Sequence, residues 1–206
     1  DFEVAAIGDK AFQNCPNWTG HLKIPQNIKS IGAFSFSGCS GFTGNLQLPD
    51  HLTSIPEESF SFCINFDGIL SLPKKLTEIQ SRAFYFCQNF IGDLIIPGNV
   101  LTIGNHAFAS CIGFNGKLKI SNSVQEIGKN AFYSCSKLTG NITIPEKIAI
   151  IEENIFYGCS GFDGYFNFPL NLTEIKSMAF SGCSGLKGNL HIPEKVTSVS
   201  DHAFNY

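Results

Sequence analysis

The sequence predicts a right-handed, curved solenoid of stacked coils, on three observations. Eight cysteines (Cys15, Cys39, Cys63, Cys87, Cys111, Cys135, Cys159 and Cys183) stand at uniform intervals of 24 residues. A phenylalanine stands three residues before each, from Phe12 to Phe180, and again at Phe204. A glycine stands five residues after each, from Gly20 to Gly188. Residue types held in register along a whole chain mark one unit that stacks on copies of itself. At that period residues 1–206 form a single domain of about 8.5 coils.

The stretch from Phe42 to Gly68 shows what each position does. Leu46-Gln47-Leu48 alternates apolar and polar, the pattern of a strand with one buried face. Pro49 follows and stops further ladder pairing because it has no amide hydrogen; only Ser121 replaces this proline among the later coils. Leu52 and Ile55 turn inward again, on a turn or a short second strand. Phe60 and Cys63 share the same three-residue spacing, which predicts a helical or 3₁₀ turn. Phe42 closes the coil, and Gly44 permits the bend into the next strand. One coil cannot bury these apolar side chains alone, so stability must come from its neighbours.

A 24-residue unit is too short for a propeller blade or a helical-pair repeat and falls within the range of leucine-rich repeats. The expected fold class is therefore a leucine-rich-repeat solenoid of the α/β type, mostly short parallel strands with 3₁₀ or helical turns. A parallel β-helix is the alternative, and Phe-x-x-Cys recurs where a β-helix would place another flat strand. Strand spacing predicts an inner face about 40 Å long, with the short strand on the concave side.

Residues 100–120 carry a more specific pattern: Val100, Ile103-Gly104, Ala107-Phe108, Cys111, Phe114, Gly116, Leu118 and Ile120. This unit resembles the BspA-like, or Treponema pallidum-class, leucine-rich repeats over essentially the whole chain. The commoner repeats keep an asparagine ladder where this chain has Asn27, His51, Lys75, Asn99, Ser123, Lys147, Asn171 and Lys195. That loss fits the same class. The unit here is one residue longer than the family's usual one, the extra residue falling within Phe42-Thr43-Gly44-Asn45. The resemblance implies a bacterial, sometimes protozoan, surface or secreted protein of a family in which some members adhere to host or extracellular-matrix proteins.

Composition removes several classes. Charged residues are 15%, net charge is −3 and Arg82 is the single arginine, so there is no basic stripe to displace counterions from nucleic acid. No apolar run approaches a membrane span, Ile148 to Ile151 being the nearest. Asp1 to Ala6 has no leader character, and the chain opens within a repeat, as expected of a piece of something longer.

Chemistry-bearing residues read as scaffold. The cysteines occupy one inward slot per coil and are expected as free, shielded thiols rather than disulfides or a zinc site. His106 and His202 share a phase but lie four coils apart, as do Glu57-Glu58 and Glu152-Glu153, too far for a catalytic pair. Gly-Cys-Ser-Gly at 38–41, 158–161 and 182–185 lacks the spacing of a nucleophile elbow. No catalytic residue, metal or cofactor is expected. Asn17, Asn141 and Asn171 head glycosylation sequons that have meaning only in a eukaryotic secreted chain.

Three functions remain: a protein-binding recognition module, a spacer presenting another domain, or a glycan binder using Tyr85, Tyr133, Tyr157 and Tyr165. For the first, the residue at each strand centre must face away from the core, giving the row Lys23, Gln47, Ser71, Ile95, Lys119, Thr143, Asn167 and His191. The residue before each strand flanks it. Ile69 and Ile95 are apolar residues on this otherwise polar face, edged by Asp93, Lys117 and Lys119. The expected contact surface is Ile69, Asp93, Ile95, Lys117, Lys119, Thr143, Tyr165 and Asn167, an apolar centre with a polar rim.

Overall fold

The computed structural model describes residues 5–205, so residues 1–4 of the N-terminal segment read above lie outside the described residues. Each coil has three walls. The strand wall carries two-residue strands such as Leu46–Gln47 and Leu94–Ile95, with the first residue buried and the second exposed. A second wall carries Ser54–Ile55, Glu78–Ile79, Thr102–Ile103 and Glu126–Ile127, joined as one four-stranded parallel sheet. The register advances by one 24-residue unit, as in Leu94 with Leu118 and Ile79 with Ile103. The open choice at Leu52 and Ile55 thus resolves as both: Leu52 sits on a turn, its N–H donating to the Pro49 carbonyl at 3.1 Å, and Ile55 lies in the second strand.

The third wall, expected as a helical or 3₁₀ turn, is neither. Among the described residues there is no helix of any kind. A helical turn would close all its N–H groups inside the coil. Here only alternate groups do so: Ser59, Ser61 and Cys63 donate to Pro56, Glu58 and Phe60 at 3.2, 3.2 and 3.3 Å. The residues between them point along the stack, and Glu58, Phe60 and Phe62 donate to Ser81, Ala83 and Tyr85 of the next coil at 3.1, 2.9 and 2.7 Å. This alternation requires left-handed backbone at Glu58 (φ 49°) and Phe62 (φ 57°). The same triplet recurs at every step, from Lys10, Phe12 and Asn14 to Met178, Phe180 and Gly182. A left-handed residue costs roughly 1 kcal/mol when it carries a side chain. Backbone hydrogen bonds that would otherwise be lost in the stack offset it.

Inside, one phenylalanine per coil forms a continuous column. From Phe12 through Phe204 successive rings lie 5.1 to 5.7 Å apart and within 19° of parallel. That is the offset stack aromatic quadrupoles prefer. A second column, Phe42, Phe66, Phe90 and Phe114, ends where Leu138 takes the position. The cysteines stand beside these rings as free thiols, seven buried and Cys15 half-buried. From Cys39 onward each Sγ–H donates to the carbonyl of the phenylalanine 27 residues earlier, at 2.9 to 3.2 Å. Burial pushes the Cys135 thiol up to about 12 and those of Cys87, Cys111 and Cys159 well above the ordinary range. They are small apolar residues with one satisfied donor, and their thiolates are suppressed.

Two measurements follow from this core. Phe132→Ala should lower stability by about 3–5 kcal/mol in denaturant unfolding, and Phe12→Ala or Phe204→Ala by less, because the terminal rings each stack on one ring only. Equal losses at centre and ends would contradict a one-dimensional stack. Thiol titration without reductant should find eight groups in denaturant and, in the native protein, rapid reaction at Cys15 alone. Fewer than eight in denaturant would mean that some cysteines are bridged.

Candidate ligand-binding face

The strand wall is built from corners that follow a longer period than the coil. From residue 43 the corner triplets run Thr-Gly-Asn, Asp-Gly-Ile, Ile-Gly-Asp, Asn-Gly-Lys, Thr-Gly-Asn, Asp-Gly-Tyr and Lys-Gly-Asn. An Asp or Asn after the glycine alternates with one before it. The geometry explains the alternation. Asn45 Oδ1 accepts from the Ile69 N–H of the next coil at 2.7 Å, and Asp67 Oδ1 reaches back to the Gly44 N–H at 2.7 Å. Asp93 with Asn115, and Asn141 with Asp163, make the same reciprocal clasp over Lys117 and Gly92 and over Tyr165 and Gly140. Coils are therefore clasped in pairs, and the structural unit is two coils long.

Strand pairing obeys the same rule. Leu46–Gln47 pairs with Leu70–Ser71, Leu94–Ile95 with Leu118–Lys119, and Ile142–Thr143 with Phe166–Asn167. Among the described residues no ladder joins one of these pairs to the next, and a single bridge, Lys117 with Thr139, spans the second break at the corner. Each break is a slot in the wall. One of about 520 Å³ lies between Ile69 to Leu72 and Asp93 to Gly98, and a smaller one between Lys117 to Lys119 and Gly140 to Thr143.

These slots distribute the residues expected from the sequence. Ile69, Asp93 and Ile95 line the first slot, and Ile69 and Ile95 are each 52% exposed. Lys117, Lys119 and Thr143 line the second. Asn167 lines a third beside Leu170 and His191, while the Tyr165 ring lies over Gly188, where a Cβ would meet it. The eight residues thus form a line of separate sites rather than one patch. Asp93 belongs to the scaffold as much as to the surface, since Oδ1 is held by the Lys117 N–H and Oδ2 by Lys119 Nζ at 2.6 Å. The Lys119 ammonium first, and the Lys117 amide next, hold this carboxyl below the usual carboxylate range. The flanking row consequently does not vary freely: Asn45, Asp93 and Asn141 are tied to the clasp, whereas Ile69, Lys117 and Tyr165 project.

Elsewhere the polar groups serve the scaffold. A hollow of about 840 Å³ lies on the second wall, lined by Gln80, Thr102, Glu126 and Glu152, while Gly104 and Gly128 let the coils approach, a Cβ on either meeting the backbone of the coil before it. Several of its polar groups are already paired: Glu78 with Gln80, Glu152 with Lys176 and Lys129 with Glu153. Among the described residues no three His, Cys, Asp or Glu side chains converge as metal ligands. Tyr133 and Tyr157 stack face to face at 4.9 Å, which covers one face of each ring, and the buried Ala109 separates them from Tyr85. Tyr85, Tyr133 and Tyr157, which share one phase of the repeat, therefore do not form an unbroken column. The sequence reading missed Phe62 and Phe86 on the turn wall. They hold large rings in left-handed backbone (φ 57° and 60°) where other coils have glycine, serine or asparagine, and Phe62 is 43% exposed.

The clasp predicts that Asn141→Ala, which strands the Tyr165 N–H, costs about 1 kcal/mol in unfolding free energy. Gln47→Ala, at an exposed strand centre, should cost a few tenths at most. Equal effects would remove the clasp as a stabilising device.

The chain matches the profile described as a BspA type leucine rich repeat region, in six copies, over residues 5–139 and 86–206. Among solved structures it is similar to a leucine-rich repeat protein from Bacteroides ovatus, with 31% identity and a TM-score of 0.85. That alignment covers 97% of this chain and 49% of the other, so the chain spans about half that protein's length. It is also similar to the T. pallidum leucine rich repeat protein, with 25% identity and a TM-score of 0.59 over 89% of this chain and 72% of that one. A leucine rich cell surface protein from Faecalibacterium prausnitzii shares the fold, with 21% identity and a TM-score of 0.52 over 99% and 75% of the two chains. No curated protein matches.

Proposed function

The chain belongs to the BspA-type leucine-rich-repeat family, and from that premise we propose that it is a non-enzymatic recognition module. It binds a protein partner along its strand wall, at the cell surface or outside the cell, with adhesion to a host or matrix protein as the specific form. The observation that carries this reading is the exposure of Ile95, in a row of otherwise polar strand centres, together with that of Ile69 beside it at the head of the preceding strand. Burying an isoleucine stabilises a fold by about 1.5–3 kcal/mol, so side chains held out in water on a wall of free choice serve something other than folding. The cell-surface description of the Faecalibacterium protein supports the location. A spacer would need neither apolar strand centres nor slots.

The reading is tested with a panel of matrix proteins immobilised for surface plasmon resonance. Ile95→Asp and Lys119→Glu should each weaken binding by about tenfold or more while leaving the melting temperature in place. Unchanged affinity in both, with binding abolished by Phe62→Ser or Tyr133→Ser on the turn wall, would move the interface to that wall.

A further inference from the structure

The slot between the first two clasped pairs has a chemistry of its own. Its walls are Ile69, Leu72, Ile95 and Pro97. Its mouth is open because Gly98 stands where the other coils carry Gln26, Asp50, Lys74, Asn122, Glu146, Leu170 and Glu194. A Cβ at Gly98 would meet no atom within 4 Å, so neither backbone nor packing demands glycine there. Two charged residues line the slot, Asp93 and Lys74. Asp93 is neutralised by Lys119 at 2.6 Å, whereas among the described residues the Lys74 ammonium has no ion-pair partner. The slot is therefore apolar with one uncompensated positive charge.

Its lips also carry unused backbone. Within a clasped pair the first strand donates forward, as Leu46 N–H does to the Ile69 carbonyl at 3.1 Å and Leu94 N–H to the Lys117 carbonyl at 3.0 Å. The same strand polarity points the Leu70 and Leu72 N–H groups into the slot, facing the carbonyls of Asp93 and Ile95. Among the described residues no hydrogen bond links them. Unpaired donors and acceptors beside an apolar hollow suit a ligand that brings its own amide groups along with an apolar side chain.

We propose that this slot receives a protein segment in which an apolar side chain adjoins an aspartate or glutamate. The apolar side chain enters between Ile69 and Ile95, the carboxylate meets Lys74, and the segment's amides meet the Leu70–Leu72 and Asp93–Ile95 lips. This rests on the strand-wall reading above and adds the slot and the sign of the partner's charge.

The test is selection of a random linear peptide library on the immobilised chain, followed by anisotropy measurements with one enriched peptide. Enriched sequences should share an aliphatic or aromatic residue next to Asp or Glu. Gly98→Glu, which fills the mouth with the wrong charge, and Lys74→Glu should each weaken the peptide by about tenfold or more without changing the melting temperature. Reselection on the Lys74→Glu chain should replace the acidic residue by Lys or Arg. If Ile95→Asp abolishes binding but Gly98→Glu and Lys74→Glu do not, the strand wall stands and the slot assignment falls. Insensitivity to all three, or no enriched family, overturns both. Displacement of the peptide by decanoate at matching affinity would give the slot to a free amphiphile and overturn the peptide.

Discussion

Three backbone hydrogen bonds per coil, all on the turn wall and all pointing along the stack, set the geometry from which the other two walls depart. They need left-handed residues at fixed positions, and the chain supplies these with Lys10, Phe34, Glu58, Arg82, His106, Asn130, Asn154, Met178 and His202 alike. No single residue type is required there. What is required is that each coil have a neighbour to accept its three N–H groups, since the strained backbone is otherwise uncompensated. The phenylalanine column and the thiol-to-carbonyl bonds follow from the same fixed step, because rings and sulfurs at one phase must stack at the spacing the turn wall sets.

Because the turn wall is unbroken, the strand wall can be broken without loss of the fold. A conventional sheet would be weakened by an omitted ladder every second strand. Here the corners restore continuity, since Ile91 N–H still reaches the Gly68 carbonyl at 2.9 Å beneath the first slot. The wall that carries the slots is thus also the one least needed for coherence. That separation lets exposed isoleucines and an uncapped strand edge persist where a sheet protein would have to cover them.

Much of this was legible in the sequence. The 24-residue register, the inward Leu and Ile positions, the phenylalanine column and the free thiols all follow from periodicity and the demand to bury apolar side chains. The turn wall was not legible. Phe-x-x-Cys has helical spacing, and nothing in Phe62 or His106 announces a left-handed backbone, because tertiary hydrogen bonds impose it against local preference. The clasp lies between these cases. Its signal, Asp or Asn moving from one side of the glycine to the other in alternate coils, is plain once coils are compared two apart. Between coils one apart the same positions look like free variation, so Asp93 is indistinguishable in sequence from a purely surface residue such as Ile95.

The two-coil unit also bears on how such an array can change length. Removing one 24-residue segment would set Asn45-type corners against each other, so that both reach forward and none reaches back. Adding or losing 48 residues keeps every Asx side chain opposite the amide it serves. The first corner, Thr19-Gly20-His21, illustrates a coil without the clasp: neither neighbour of Gly20 is Asp or Asn, and Gly20–His21 is joined to Phe42–Thr43 by backbone pairing instead. Recombination between copies would therefore be tolerated in even steps, and the number of slots would grow by one with each step. In this architecture the clasp and the spacing of the slots share one length of two coils.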